Sequence, residues 1–200
     1  MKGLRFLGNE EIEAFTSQVK FRRFRKNEYL IKEGEISVEL VFVTKGIFRS
    51  YFTPQQGAVV TNGFTFENNF LAAYSSFITQ QESGENIQAV ISSEALVILK
   101  EQVESLADKY PGWTKFLKAY SEQQYLQMEK HLKRVYQENA ETRYVRLIEN
   151  QPHYFQHLPL NQIASYLGIT QRHLSRIRKG IMVKEMKQSK NTQKTSPSFN

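Results

Sequence analysis

The chain has 200 residues, 40% of them hydrophobic, a formal net charge of +7 and no cysteine. That apolar content suffices for one sizeable core or two small ones, and the positive balance suits a polyanionic partner. The lack of cysteine excludes disulfides, thiolate nucleophiles and cysteine-ligated iron–sulfur clusters. No apolar run is long enough to span a bilayer, and no charged start leads into an apolar stretch with a small-residue cleavage site; the expected location is the cytoplasm.

Ile12, Phe15 and Val19 give a short amphipathic pattern that predicts one helix over about residues 10–20. From Phe21 to Leu99 the chain is rich in Val, Ile, Phe, Tyr and Thr, in short alternating runs separated by turn residues. Many short strands at this spacing predict a small antiparallel barrel or jelly roll, not a parallel sheet with crossover helices. Residues 39–44 and 47–52, joined by Lys45-Gly46, read as a hairpin turning near Gly46, and Gly34, Gly57, Gly63 and Gly84 read as other turns.

Helical periodicity takes over at Lys100, with Val103 and Leu106 in a short segment before Pro111. Trp113, Phe116, Leu117, Tyr120, Met128, Leu132 and Val135 then recur at three- and four-residue steps among Lys, Glu and Gln, which predicts one long helix over about residues 112–138. A helix of that length needs something for its apolar stripe to pack on. A second copy of itself is the economical partner, and the other reading is that the stripe covers its own β domain. Asn139 is placed to cap a further helix through Glu149, which Gln151-Pro152 would break. From Gln188 onward Lys, Asn, Gln, Thr, Ser and Pro predominate, a composition that predicts disorder.

The densest signal lies in residues 160–179. Ile163, Leu167, Ile169, Leu174 and Ile177 fall where two short crossed helices bury apolar side chains against each other. Ala164 occupies the point of closest approach, Gly168 the sharp turn, and Thr170 the N-cap of the second helix. The outward face would present Gln171, Arg172, Ser175 and Arg176, followed by Arg178 and Lys179. These residue types donate to guanine, pair with adenine or hold phosphate. The register is that of a helix-turn-helix, and Thr170, Gln171, Arg172, Ser175, Arg176, Arg178 and Lys179 form the expected contact set for double-stranded DNA.

The order β-roll, long helix, helix-turn-helix resembles the Crp/Fnr family of bacterial transcription regulators over nearly the whole chain to about Gly180. Gly34, Gly46 and residues 45–49 (Lys-Gly-Ile-Phe-Arg) resemble the glycine-punctuated strands of that family's cyclic-nucleotide-type sensor domain, and residues 169–177 its recognition helix. The resemblance implies an α+β chain divided into a β-roll over 1–110, a dimerisation helix over 111–138, a helix-turn-helix domain over 139–186 and a tail over 187–200. It implies a homodimer with two recognition helices in successive major grooves, and regulation of transcription through contact with RNA polymerase.

The sequence departs from that family at the effector. Nucleotide-binding members supply a Gly-Glu pair ahead of a short helix and an arginine for the cyclic phosphate. The matching stretch, residues 68–77 followed by 83–89, has no Gly-Glu pair ahead of its helix and no arginine, and between Arg49 and Lys100 there is no Arg, Lys or His. Only neutral groups and Glu67, Glu82, Glu85 and Glu94 are available there. Cyclic AMP is therefore not expected; a neutral or apolar small-molecule effector would sit among Phe70, Leu71, Ala72, Tyr74, Asn86 and Gln88, with Phe77 beside them. No cofactor or metal is expected, and no membrane partner. A cupin-like barrel enzyme would need imidazole ligands inside the barrel, whereas His131, His153, His157 and His173 all lie outside the β region. A face without aromatics also argues against single-stranded RNA as the ligand.

Overall fold

The computed structural model describes residues 7–55, 57–150, 152 and 156–194, with 184–194 described by backbone alone. Helix α1 (Asn9–Thr16) leads into eight strands: β1 (Lys20–Phe24), β2 (Tyr29–Ile31), β3 (Glu39–Lys45), β4 (Ile47–Phe52), β5 (Val60–Phe66), β6 (Phe70–Leu71), β7 (Asn86–Ala89) and β8 (Ser93–Leu99). A short helix, α2 (Tyr74–Thr79), interrupts them after β6. Then come α3 (Lys100–Lys109), α4 (Pro111–Gln137), α5 (Ala140–Asn150), α6 (Leu160–Tyr166) and α7 (Gln171–Lys194). No helix among the described residues is long and apolar enough to cross a membrane.

The strands form two four-stranded sheets, ordered β1-β8-β3-β6 and β2-β7-β4-β5, with antiparallel pairing throughout. Their inner faces meet in a core of Phe24, Ile31, Val41, Val43, Phe48, Leu71, Ile87 and Val97. Phe24 and Phe48 meet edge to face at 5.1 Å, the arrangement that ring quadrupoles favour. Alternation along β3 explains its double burial: Val41 and Val43 face this core, while Leu40 faces a second one under the helices. That second core joins Leu40 and Ile98 to Val103, Leu106, Trp113 and Phe116. Each such side chain contributes roughly 1.5–3 kcal/mol on burial.

Four expectations need correction. Gly46 does not close a hairpin: β3 pairs with β8 and β6, whereas β4 pairs with β5 and β7, so the chain passes from one sheet to the other at this corner. Gly46 has φ of +105°, and a Cβ there would collide with Ser93, whose hydroxyl accepts from the Ile47 N–H. Gly63 is no turn either; it lies inside β5 opposite Ser50, where the register slips by one residue. Helix α1 stops at Thr16, yet Val19 beyond it still packs into the helical core. Finally, α7 continues to Lys194, through residues whose composition suggested disorder. Lys, Glu, Met and Gln over 184–188 are good helix formers, and no proline intervenes before Pro197. The rest of the tail lies outside the described residues, as does the predicted break at Gln151.

Candidate nucleic-acid interface

The helix-turn-helix is built from its own short-range chemistry. Thr170 Oγ1 accepts from the His173 N–H at 3.2 Å, satisfying one of the free donors of the first turn of α7. Gly168 takes φ of +64° between the helices, a left-handed conformation that glycine adopts without strain. Ile163, Ala164, Leu167, Leu174 and Ile177 are buried together, and Ile169 packs against them half-buried. Burial of Leu174 and Ile177 fixes the rotation of α7, which turns Gln171, Arg172, Ser175, Arg176 and Lys179 to solvent beside the exposed Thr170. Arg178 differs: it is half-buried against Tyr144 of α5, whose pKa burial raises and the Arg178 charge and hydrogen bond pull part of the way back. His173 is exposed.

This unit is docked on the β-roll through an unusual contact. Strand β5 is the outer strand of its sheet, so one side of its backbone lacks a neighbouring strand. Ser165 of α6 takes that place: its hydroxyl accepts from the Thr61 N–H at 2.9 Å and donates to the Val59 carbonyl at 2.7 Å. Around it, Ile47, Phe66 and Val90 of the roll share one apolar cluster with Tyr144, Leu158, Ile163, Leu167 and Leu174, and Phe64 packs on Tyr166 at 5.5 Å. Nothing in the sequence pattern marked Ser165, because its partners are main-chain groups about a hundred residues away.

Arg143 joins the end of α4 to the turn after α6. It donates to the Leu167 carbonyl at 2.8 Å and to the Val135 carbonyl at 3.3 Å. Asn139 caps α5 as expected, its Oδ1 accepting from the Thr142 N–H at 2.9 Å. His131 of α4 lies 5.9 Å from the Tyr166 ring; desolvation lowers its pKa, and the charges of Arg134 and Arg143 lower it further.

Along α4 the apolar stripe divides. Trp113 and Phe116 are 0% and 2% exposed and lie in the helical core. Tyr120 stacks on Phe116 and meets Tyr74 edge to face, and burial pushes its pKa up. Beyond it Tyr125, Met128, Leu132 and Val135 stand at 63%, 64%, 56% and 47% exposure, spaced by three, four and three residues. Tyr125 belongs to this second run, although the sequence pattern singled out only its three companions.

The residues proposed as an effector pocket disperse over the roll. Phe70, Ala72 and Phe77 belong to the helical core and Leu71 to the inter-sheet core. Tyr74 reaches the Ser121 hydroxyl at 2.5 Å, Asn86 accepts from the Glu33 N–H, and Gln88 donates to the Asn27 carbonyl. None of them lines the cavity of about 230 Å³ that opens nearby among Phe52, Asn62, Ala73, Ser75, Ser83 and Glu85. No cluster of His, Asp or Glu among the described residues has metal-binding geometry.

The family model of the cyclic nucleotide-binding domain matches residues 21–110, which takes in the β-roll and α3. Solved structures of similar shape include FixK2 from Bradyrhizobium japonicum, at 17% identity and a TM-score of 0.72, with 84% of this chain and 86% of that one covered. The c-di-GMP-responsive global regulator CLP of Xanthomonas campestris follows at 14% identity and 0.70, covering 89% and 93%. The catabolite activator protein of Thermus thermophilus aligns at 18% identity and 0.59, covering 92% and 88%. No curated protein matches the sequence significantly.

Proposed function

We infer that this chain, which has the fold of the Crp/Fnr transcription regulators and carries their cyclic nucleotide-binding type of domain over residues 21–110, is a sequence-specific DNA-binding regulator acting as a homodimer. The observation that carries the reading is the outward face of α7. Gln171, Arg172, Ser175, Arg176 and Lys179 are exposed on the side opposite the buried Leu174 and Ile177, just after a capped N-terminus. A helix presented in this way enters a major groove with its first turns at the base edges, where Arg reads guanine and Gln reads adenine. Lys179 reaches phosphate, and Arg178, engaged with Tyr144, steadies the helix on α5. The bare run on α4 is the surface for the second subunit, which sets two recognition helices about 34 Å apart on a palindrome. The reading is of a regulator and not an enzyme.

The test is selection of bound duplexes from a random library, followed by titration of the best site. Arg176→Ala should lose about 1–3 kcal/mol on the selected site and blur one base position. Log affinity should fall with log salt at about −0.9 per phosphate contacted. Equal loss on selected and random DNA would mean that Arg176 touches phosphate only, and salt-independent binding would remove this face from the interface.

A further inference from the structure

The cavity between β4, β5, α2 and the loop before β7 holds a titratable group for which the proposed DNA function has no use. Glu85 is half-buried there, and desolvation raises its pKa. Its carboxylate, with room for about four hydrogen bonds, accepts one long bond, from Asn62 Nδ2 at 3.5 Å. Among the described residues no Lys, Arg or His comes within ion-pair distance of it, and the sequence offers none between Arg49 and Lys100. The hydroxyls of Ser76 and Ser83 are committed to the frame. Ser83 Oγ accepts from the Glu85 N–H and donates to the Glu85 carbonyl, while Ser76 Oγ accepts from the Ser37 N–H and donates to the Gln81 carbonyl. The carboxylate is therefore the charged group left to meet a ligand, and Phe52 lines the same cavity.

A cyclic phosphate does not fit these residues. It would bring a second negative charge to a half-buried carboxylate with no cation to offset either. The complementary ligand is the opposite: a small cation with N–H donors, whose charge pairs with the carboxylate and rests on an aromatic face. At about 230 Å³ the cavity is smaller than pockets for drug-sized ligands, roughly 300–1,000 Å³, so the ligand is small. We propose that this cavity is a binding site for a small primary ammonium compound, held by the Glu85 carboxylate with its carbon body against Phe52. Asn62 follows Thr61, whose N–H is bonded to Ser165 of the DNA-binding unit, so the occupant borders the strand on which that unit is docked.

The experiment is calorimetry on the full chain without DNA, so its result is independent of the DNA-binding reading. The probes are ethanolamine, cadaverine and 2-phenylethylamine, with 2-phenylethanol and phenylacetate as neutral and anionic counterparts of the last. At least one amine should bind saturably, and Glu85→Gln should weaken it by about tenfold or more. The alcohol and the acid should bind the unaltered chain at least about tenfold more weakly than 2-phenylethylamine or not at all, a comparison that does not depend on the variant folding. No saturable heat with any of the three amines overturns the proposal. So does equal affinity of a folded Glu85→Gln protein for the amine, or tighter binding of phenylacetate or cyclic AMP.

Discussion

The two halves of α4 obey the same three-and-four spacing and meet opposite fates. In the first half Trp113 is 0% exposed, fixed by its Nε1–H donating to the Glu11 carbonyl at 3.2 Å and by rings packed against Phe15 and Phe116. Glu11 also accepts from the Gly112 N–H at 2.8 Å, so α1 clamps the start of the helix. In the second half the side chains of Tyr125, Met128, Leu132 and Val135 stand exposed at the surface of the subunit. Hydrophobic periodicity shows that a helix has an apolar face; it does not say whether the partner is the same chain or another copy. The covered half fits the reading in which the stripe packs on its own chain, and the exposed half is the surface that the proposed dimer would use.

The largest test of that contrast is Trp113→Ala. It leaves a cavity in the helical core and removes the hydrogen bond to the Glu11 carbonyl, and should cost about 3–5 kcal/mol in denaturant unfolding. Met128→Glu combined with Leu132→Glu should behave in the opposite way. Stability should stay within about 1 kcal/mol of the parent, because both sites are solvated in the subunit. Light scattering should then show a folded monomer, and affinity for a palindromic site should fall by at least about tenfold as one half-site is lost. A persistent dimer would place the seam elsewhere and break the comparison.

Smaller effects sharpen it at the junction with the helix-turn-helix unit. Ser165→Ala strips both hydrogen bonds from the edge of β5 and should cost about 1–3 kcal/mol, read as faster hydrogen exchange at Thr61. The smallest effect is that of pH. His131, on the exposed half but shielded by Tyr166, has its pKa held below the ordinary 6.5 by desolvation and by Arg134 and Arg143. The unfolded chain then binds more protons, so the stability this neutral imidazole contributes is present above about 6.5 and is lost as pH falls through the folded value. His131→Phe should flatten that part of the pH profile of unfolding.

The helix-turn-helix was legible almost residue by residue, since its determinants lie within twenty positions: a cap at Thr170, a left-handed turn at Gly168, and Leu174 and Ile177 setting the face. The β-roll was legible as a class but not as a topology. Lys45-Gly46 has the look of a hairpin turn, yet what Gly46 answers to is the proximity of Ser93, almost fifty residues on. The effector region was least legible. Phe70, Phe77 and Leu71 are aromatic or apolar because they are core, while the cavity is lined by Asn62, Ser83 and Glu85, which sequence pattern cannot tell from surface loop.

The sequence by itself determined the local elements, the small residues at tight places, the basic outward face of α7 and the lack of any cation between Arg49 and Lys100. Each of these depends on side-chain chemistry or on neighbours within a few turns of helix. Only the tertiary structure decided which half of α4 is covered, that Ser165 caps the free edge of β5, and that Glu85 lies in a cavity with one weak partner. Those depend on which distant backbone groups and surfaces come together, and a one-dimensional period carries no record of that.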